Sequence, residues 1–320
     1  MKKVDIVVPV MNEEEMVPLF YEEVSKVCLG ISGYDFYFIF VDDGSSDKTA
    51  AVLEELKKTK TNVGYISFSR NFGKEAAIYA GLQHIKGDII ILMDGDLEHP
   101  PALIPQMIKA LEDGYDACGA KREKGGFSKL FYNVNNKMST VKLKKGATDY
   151  MCMTRRFVDS VLELSETQRF SKGLFAWVGF DVKWLDYEQP VRPKGKSKWN
   201  FYKLFNYAAD GITSFSVFPL RLVTLCGAII CLLAFVYIII TVLKTLITGI
   251  DVPGYATILV VLLFLGGMIL LGVGILGEYI GKIYMETKNR PLYIAKRVSI
   301  RNFEVNDKEN CGDDNVCKKQ

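Results

Sequence analysis

Three clusters of acidic and polar residues have the types and spacing that could do chemistry. They read PVMNEE at Pro9–Glu14, VDDGSSD at Val41–Asp47 and MDGDLEHPP at Met93–Pro101. Asp and Ser also cap helices, so any one cluster could simply begin a helix. Capping requires neither the Asp-Asp pair of the second cluster nor the Asp-Gly-Asp of the third, and paired carboxylates after a buried strand are unfavourable without a compensating cation or hydrogen-bond donors. Because carboxylate oxygens suit Mg²⁺ or Mn²⁺, which commonly bridge diphosphates, the three clusters together predict a site for a divalent metal and a nucleotide diphosphate.

The elements that must position these clusters follow from an alternation of short apolar runs and helical segments over residues 1 to about 150. Runs that are apolar on both faces and separated by helices indicate an α/β fold with a mostly parallel sheet covered on both sides. Ligands in such folds bind beyond the carboxyl ends of the strands, where all three clusters fall. The predicted strands are Val4–Val10, Tyr34–Val41, Val63–Phe68, Asp88–Met93 and Asp116–Ala120. The predicted helices are Glu13–Leu29, Asp47–Lys58, Lys74–His84 and Pro101–Leu111.

Two long apolar runs dominate the last third of the chain. Leu222–Leu243 contains no charged residue, and as a helix it would reach roughly 33 Å, enough to cross a bilayer core of about 30 Å. A second uncharged run follows at Val252–Gly277, after the short link Lys244–Asp251. One such run could be a buried core helix. Two in tandem predict a transmembrane hairpin, with helices at about 222–244 and 255–278.

The charges beside these runs predict the orientation of the hairpin. Basic residues cluster before it, up to Arg221, and after it, from Lys282 onwards, whereas the link holds only Lys244 and Asp251. Positive residues favour the cytoplasmic side, so both termini and the α/β domain are expected in the cytoplasm, on a multi-pass protein of the cell membrane. The N-terminus has no secretory apolar region, which fits this expectation.

The expected organisation is therefore an α/β domain over residues 1–200, an amphipathic juxtamembrane segment over 201–221, two transmembrane helices within 222–282, and a basic segment with a polar tail over 283–320. Aromatic and Lys residues in the juxtamembrane segment suit a helix at the lipid headgroups, although an amphipathic helix packed on the domain would look the same. With 49% hydrophobic residues, a net charge of +3 and seven Cys, the composition excludes a disordered chain or a disulfide scaffold and gives no reason to expect nucleic-acid binding. Glycines of the second run, such as Gly266 and Gly267, could serve a homo-oligomer or packing within one hairpin.

Five motifs in order resemble family 2 glycosyltransferases. They are VVPVMNEE, FVDDGSSDKT, SRNFGKEAAIYAGL, MDGDLEHPP and RPKGKSKW, and they cover roughly residues 4–200. More narrowly, they resemble the polyprenyl-phosphate type, such as dolichol-phosphate mannose synthase and the bactoprenol glucosyltransferases. The resemblance implies a GT-A fold, which is a Rossmann-like nucleotide-sugar-binding domain, and inverting transfer from a nucleotide sugar to undecaprenyl or another polyprenyl phosphate. The product would supply a lipid-linked sugar for cell-surface glycosylation.

The resemblance also assigns roles to residues of the donor site. Pro9, Asn12 and Glu13 match the first nucleotide-contacting loop, and Arg70 and Lys74 match a segment near the donor. Asp42 matches the acidic residue that contacts the base or ribose, and Asp43 lies beside it in the donor site. Asp94 and Asp96 match the D-x-D pair on diphosphate and metal, Mg²⁺ or Mn²⁺. Glu98, the third expected metal ligand, stands where the mannose synthases have Gln. Asp149 matches an acidic residue near the transferred sugar, although it could instead cap the next helix.

The resemblance implies a polyprenyl-phosphate acceptor, and an enzyme that binds this acceptor needs cationic side chains. A phosphomonoester is largely dianionic at neutral pH, since its second pKa is about 6, so it needs positioning by cations more than a general base. Arg122, Arg169, Arg192 and Lys198 are the candidates, although basic residues of this kind can also be solvated surface charges.

Two other functions are weighed against this one. A processive polysaccharide synthase would have a Q-x-x-R-W motif and more spans, and the chain offers only Gln168-Arg169-Phe170 and two spans. A non-enzymatic nucleotide-sugar-binding membrane protein would bind through the same clusters without turnover. For the donor, the resemblance favours UDP-glucose or UDP-N-acetylglucosamine over a guanosine donor of mannose.

Overall fold

The structure, a computed structural model, describes residues 1–122, 141–142, 144–167, 169–188, 218–248 and 254–301. The strands are β1 (Lys2–Val10), β2 (Tyr34–Asp42), β3 (Val63–Phe68), β4 (Ile89–Leu92), β5 (Ala117–Arg122), β6 (Ala147–Thr154), β7 (Val182–Tyr187) and β8 (Ala295–Ser299). The helices are α1 (Met16–Leu29), α2 (Thr49–Thr59), α3 (Lys74–Gln83), α4 (Ile104–Glu112), α5 (Arg155–Leu162), α6 (Ser171–Trp177), α7 (Phe218–Thr248) and α8 (Tyr255–Thr287), with a 3-10 turn at Pro101–Leu103.

All eight strands form one sheet in the order β7-β5-β6-β4-β1-β2-β3-β8. The centre, β4-β1-β2-β3, is parallel, as the alternating apolar runs predict. Strand β6 runs antiparallel between β4 and β5, and β8 runs antiparallel along β3, so the sheet is mixed. The predicted α/β fold is confirmed, and the antiparallel strands are an addition to it.

The core lies on both faces of this sheet. Val4, Ile6 and Val8 of β1 pack on the face that α1 and α4 cover, whereas Val7 packs on the face that α3 covers. Successive side chains of a strand point to opposite faces, and here both are fully buried, which is why β1 reads as a continuous apolar run. The ends of the four parallel strands therefore meet at one edge, and the loops that follow them carry the three clusters.

Helix α7 contains the first long apolar run, and α8 contains the second from Tyr255 onwards. Within the described residues, the stretch Phe264–Thr287 is long and apolar enough to cross a membrane, as judged by length and composition, and none of it is buried against the protein. The stretch Leu222–Tyr237 of α7 is apolar but shorter. The two helices lie where the sequence places them, and their crossing of a bilayer stays a prediction. The juxtamembrane segment up to residue 217 and the tail from residue 302 lie outside the described residues.

After α8 the chain returns to the sheet, which the sequence analysis did not predict. Strand β8 pairs with β3 from Tyr65↔Ser299 to Phe68↔Ala295, and the following Ile300 is 4% exposed and joins the core. Gly64 of β3 permits this close approach, because a Cβ there would lie 3.0 Å from the Ser299 carbonyl oxygen and 2.5 Å from the Tyr37 hydroxyl. The last described residues thus belong to the same sheet as the first.

Candidate active site

The first two clusters are joined by hydrogen bonds at the carboxyl edge of the sheet. The Asn12 backbone N–H donates to Ser45 Oγ at 2.9 Å, and the Ser46 backbone N–H donates to Asn12 Oδ1 at 2.8 Å. Asn12 adopts a left-handed backbone conformation with φ 53°, which Asn tolerates better than most residues. The loops after β1 and β2 therefore form one continuous surface, as the parallel pairing requires.

The paired carboxylates of the second cluster are buried and organise loops. Asp42, 1% exposed, accepts hydrogen bonds from Ser67 Oγ at 2.7 Å and from the Ser45 backbone N–H at 2.9 Å. Asp43 accepts from the backbone N–H groups of Phe72 at 2.7 Å and Gly73 at 3.0 Å. Burial raises the pKa of Asp43, while these two N–H donors act in the opposite direction. The hydrogen-bond donors to both carboxylates are groups of the protein itself. The contact to base or ribose that the resemblance implies stays a prediction.

The third cluster meets α3 and β6 at a shared lysine. Lys74 Nζ lies 2.7 Å from Asp94 Oδ1 and 2.6 Å from Asp149 Oδ2. Asp94 follows β4, Asp149 lies within β6 and Lys74 begins α3, so three separate elements bring these groups together. The Lys74 side chain is 42% exposed, whereas the Asp149 side chain is only 15% exposed. The arrangement is an ion-paired cluster that opens to solvent on one side.

The charges of this cluster fix its protonation. Burial disfavours the charged form of Lys74, but the Asp149 and Asp94 carboxylates outweigh burial and raise the pKa of Lys74. Burial would likewise raise the pKa of Asp149, but Lys172 and Lys74 hold the pKa of that carboxyl far below its usual range. Asp149 is therefore ionised at any physiological pH. Its buried Oδ1 has no hydrogen-bond partner among the described residues and lies 3.9 Å from Lys172 Nζ.

Glu98 and Asp94 face different cations. Glu98 Oε2 lies 3.3 Å from Arg122 Nη2, and Arg122 Nε also donates to the Tyr187 hydroxyl at 3.4 Å. Between the acids, Leu97 takes a left-handed conformation with φ 58°, and Asp96 Oδ1 accepts the Glu98 backbone N–H at 3.1 Å. Among the described residues no three His, Cys, Asp or Glu side chains converge to hold a metal ion. In this structure Lys74 pairs with Asp94 and Arg122 pairs with Glu98, and the expected metal set of Asp94, Asp96 and Glu98 stays a prediction.

The residues present nonetheless fit a metal bound together with its substrate. Mg²⁺ is usually held by one or two carboxylates plus phosphate oxygens and water rather than by a cage of protein ligands. Asp94 and Asp96 supply hard oxygens on one half-exposed loop, at the edge where a parallel sheet binds ligands. These oxygen ligands suit Mg²⁺ or Mn²⁺ bound together with a diphosphate, and Glu98 as a third ligand stays a prediction.

Comparison with known proteins identifies the family. The model described as Glycosyl transferase family 2 matches residues 5–164, and the model described as GtrB C-terminal hairpin matches residues 218–283. The chain belongs to glycosyltransferase family 2. The CsbB protein of Bacillus subtilis, named as a glycosyltransferase, is 47% identical over 309 residues, which are 94% of each chain. The SfII prophage-derived bactoprenol glucosyl transferase of Shigella flexneri is 42% identical over 92% of this chain and 98% of its own length.

Family membership confirms that the chain is a glycosyltransferase with a GT-A-like α/β domain, as the motifs indicated. Among solved structures, glucosyl-3-phosphoglycerate synthase from Mycobacterium tuberculosis, in complex with Mn²⁺, UDP-glucose and phosphoglyceric acid, is similar with a TM-score of 0.47 and 17% identity. The match covers 66% of this chain and 78% of that one. This likeness is distant.

The other expected donor residues of this glycosyltransferase are placed as follows. Pro9 is half-buried in β1, opposite Val41 of β2. The Glu13 backbone N–H donates to Thr49 Oγ1 at 2.9 Å, which joins the start of α1 to the start of α2. Arg70 is exposed, and its guanidinium lies 4.1 Å from the centre of the Phe72 ring. All three therefore lie at or beside the carboxyl edge of the sheet.

The four cations expected at the acceptor phosphate differ in where the structure places them. Arg122 lies beside Glu98, close to the third cluster. The Arg169 guanidinium donates to the carbonyl oxygens of Leu164 at 2.8 Å and Val161 at 3.1 Å and covers the Tyr79 ring, and its role at the acceptor phosphate stays a prediction. These contacts cap the end of α5, and no described contact joins Arg169 to the acidic cluster. Arg192 and Lys198 lie outside the described residues.

Two further titratable groups lie close to the acidic cluster: Glu75, which the sequence analysis does not single out, and His99, which lies inside the MDGDLEHPP motif. Glu75 accepts hydrogen bonds from the backbone N–H of Ser171, at 2.9 Å, and from its hydroxyl, and burial raises the pKa of Glu75. His99 is 2% exposed and stacks on Tyr150 with ring centres 5.2 Å apart, and burial lowers the pKa of its imidazole. The signal that could have identified Glu75 is its position, since it is an acid directly after Lys74 in a largely apolar helix.

Proposed function

We propose that this glycosyltransferase moves a sugar, with inversion, from a nucleotide-diphosphate sugar to undecaprenyl phosphate or another polyprenyl phosphate. The donor is UDP-glucose or UDP-N-acetylglucosamine, and the reaction takes place at the cytoplasmic face of the cell membrane. The names of relatives support the acceptor, because bactoprenol glucosyl transferases are 41–42% identical to this chain over 92% of its length. The product supplies a lipid-linked sugar for cell-surface glycosylation.

The observation that carries the proposal is the Asp94–Lys74–Asp149 cluster at the carboxyl edge of the parallel strands. A cation shared by two carboxylates, one on the loop after β4 and one within β6, is held in place before any substrate arrives. Preorganised charges of this kind stabilise a transition state without reorganisation at the moment of reaction. Lys74 is suited to meet the donor diphosphate, and Asp149 is suited to meet the sugar attached to it.

Asp94 and Asp96 would hold the divalent metal, Mg²⁺ or Mn²⁺, with the donor diphosphate. When bound, such an ion neutralises the diphosphate and stabilises the charge that develops on the leaving nucleotide. Lys74 adds a second positive charge beside Asp94. The protein therefore brings cations to the donor side of the bond that breaks.

Asp149 is suited to stabilise charge as a permanent carboxylate rather than to transfer a proton. A general base works best when its pKa lies near the operating pH, whereas Lys172 and Lys74 keep the pKa of Asp149 far below that range. A carboxylate that stays ionised can stabilise positive charge at the anomeric carbon or accept hydrogen bonds from sugar hydroxyls. No general base is needed in this reaction, because a phosphate acceptor is already deprotonated when it binds.

The bond changes balance with these groups alone. An oxygen of the lipid phosphate attacks the anomeric carbon from the face opposite the donor diphosphate. The bond between that carbon and the diphosphate oxygen breaks, and the electron pair leaves with the nucleoside diphosphate. Arg122, with Arg192 and Lys198, is proposed to position the acceptor phosphate. The Arg122 guanidinium lies 3.3 Å from Glu98, which puts a cation next to the loop of Asp94 and Asp96.

The return of the chain to the sheet supports the proposed orientation of the hairpin, with the catalytic domain and the end of α8 on the same side of the membrane. Strand β8 lies in the same sheet as β1 and follows α8 after seven residues, Lys288–Ile294. The C-terminal end of α8 must therefore lie on the same side of the membrane as the catalytic domain. A hairpin of two spans satisfies this, and the basic flanks assign that side to the cytoplasm.

The test is a transfer assay with the purified full chain. Undecaprenyl phosphate, Mg²⁺ or Mn²⁺, and a panel of labelled nucleotide sugars are combined, and the lipid product is identified by its mass. We expect one hexose or one N-acetylhexosamine per lipid, and loss of turnover in Asp96→Asn. The matched control Asp159→Asn changes an exposed carboxylate that pairs with Arg155 on α5, and it should retain activity. No lipid-linked sugar with any donor would reject the proposal, and a long polymer would favour a processive synthase.

A further inference from the structure

The segment Ser69–Lys74 has two anchors, and only one of them lies in the active site. Asp43 holds the backbone N–H groups of Phe72 and Gly73, as described above. On its other side, the Ser69 backbone N–H donates to the Ile294 carbonyl oxygen at 2.9 Å. Ile294 belongs to the return segment, residues 290–301, which follows α8 and includes β8. The position of this loop thus depends on residues that follow the membrane hairpin.

Tyr293 is the centre of that second anchor. Its ring stacks on Phe68 with centres 4.9 Å apart and planes 21° apart, and Phe68 packs edge-on against Phe72 at 5.7 Å. The Tyr293 hydroxyl donates to Gln83 Oε1 at 3.0 Å, and Gln83 is the last residue of α3. Burial raises the pKa of Tyr293 to about 12, so the hydroxyl stays protonated and remains a donor at neutral pH. Tyr293 therefore contacts Phe68, the residue directly before the Ser69–Lys74 segment, and Gln83, the last residue of α3.

Further contacts hold the return segment against the sheet. Arg297 Nη1 lies 2.6 Å from Glu54 Oε2 of α2 and 3.3 Å from the Tyr65 hydroxyl. The pairing of β8 with β3 shifts register between Ser67 and Phe68, directly before the loop. Such an irregularity redirects the chain at the end of a strand. At the C-terminal end of α8, the Glu286 carboxylate accepts a hydrogen bond from the Thr167 backbone N–H at 2.9 Å.

We propose that Tyr293 is a positioning residue for Lys74. It acts through Phe68 and the Ser69–Lys74 segment, and it couples the end of α8 to the donor side of the active site. The role of Lys74 at the donor rests on the proposed function, whereas the coupling of Tyr293 to the loop is independent of it. The coupling makes the geometry of the donor site depend on the return of the chain from the hairpin.

The test compares Tyr293→Ala and Tyr293→Phe with the wild-type full chain. Tyr293→Ala should raise the KM for the nucleotide sugar roughly two- to tenfold, the range expected for loss of one aromatic pair, with the KM for lipid phosphate unchanged. Tyr293→Phe keeps the stack and loses only the hydrogen bond to Gln83, so its donor KM should stay near that of the wild type. Lys296→Ala, an exposed residue of β8, is the matched control and should change neither constant.

Amide hydrogen exchange of peptides covering Ser69–Lys74 gives a readout that needs no turnover. Exchange should accelerate there in Tyr293→Ala and remain unchanged in Lys296→Ala. If Tyr293→Ala does not fold, Tyr293→Leu keeps apolar volume without the ring, and the same results are expected. Unchanged exchange and unchanged donor KM in a folded variant would overturn the proposal, as would equal effects on donor and acceptor with faster exchange across the whole sheet. A wild-type chain without transfer activity would defeat the proposed function, while the exchange data would still decide the coupling.

Discussion

Replacing Lys74 by methionine removes a cation that two carboxylates share while keeping most of the side-chain volume. In the wild type, Nζ lies 2.7 Å from Asp94 and 2.6 Å from Asp149. An exposed ion pair contributes at most about 1 kcal/mol, whereas a buried charge that loses its partner costs about 3–5 kcal/mol. Lys74 is 42% exposed and Asp149 keeps Lys172 at 3.9 Å, so we expect a loss of about 2 kcal/mol in the free energy of unfolding, between these limits.

The pH dependence of this loss follows from the pKa shifts. The pKa of Asp149 is lowered in the folded state, so its contribution is present above the unfolded pKa of about 3.9 and is lost as pH falls through the folded value. The pKa of Lys74 is raised, so its contribution is present below about 10.4 and is lost as pH rises through the folded value. The difference between wild type and Lys74→Met should therefore be constant from about pH 5 to pH 9 and should shrink in acid.

The same substitution should lower kcat/KM for the donor by about 100-fold or more, as expected for loss of a preorganised charge at a developing anion. Transfer rates and denaturant unfolding are measured on one preparation in detergent. Lys26→Met is the control, since Lys26 makes a comparable 2.6 Å pair with Glu23 on the exposed face of α1 and should change neither quantity. Unchanged transfer by folded Lys74→Met protein would refute the assigned role, and a loss of stability alone would leave Lys74 with a structural role only.

Three further predictions concern neighbouring groups. Arg122→Ala should raise the KM for lipid phosphate more than the KM for the nucleotide sugar, as measured by varying each substrate in turn; the reverse order would remove Arg122 from the acceptor side. Asp43→Ala should leave the Phe72 and Gly73 N–H groups without their acceptor and destabilise the protein by about 1–3 kcal/mol in denaturant unfolding, with faster amide exchange in Ser69–Lys74; unchanged stability would contradict its anchoring role. Chelation of divalent metal should abolish transfer reversibly, with recovery on adding Mg²⁺ or Mn²⁺; full activity in excess chelator would contradict a metal at Asp94 and Asp96.

The position of the acidic clusters was predictable because it depends on local rules. Strands such as β1 and β2 are apolar on both faces, and parallel strands must place the residues that follow them at one edge. Asn12 and Ser45 are in contact for that reason. The partners of the carboxylates were not predictable in the same way. Lys74 and Asp149 are 75 positions apart, and their contact depends on β6 entering the sheet antiparallel between β4 and β5.

The edges of the sheet escaped prediction because they lack the apolar signal of the centre. Strand β8 reads AKRVS and is partly exposed, so its sequence resembles the basic flank of a membrane span. The same ambiguity applies to Arg169, whose place in a basic region suggested phosphate binding. Its guanidinium donates to carbonyl oxygens at the end of α5, a contact that neither its residue type nor its spacing predicts, while its binding of phosphate stays a prediction.

The measurement that tests the central claim most directly is the identity and anomeric configuration of the lipid product. The wild-type full chain is given undecaprenyl phosphate and UDP-glucose or UDP-N-acetylglucosamine with a divalent metal, and the product is analysed by mass and by NMR of the anomeric proton. The account predicts a single sugar on the lipid phosphate, with configuration opposite to that of the donor, and no product from Asp96→Asn. A product that retains the donor configuration, or the absence of any sugar-phosphate lipid with all donors, would contradict it.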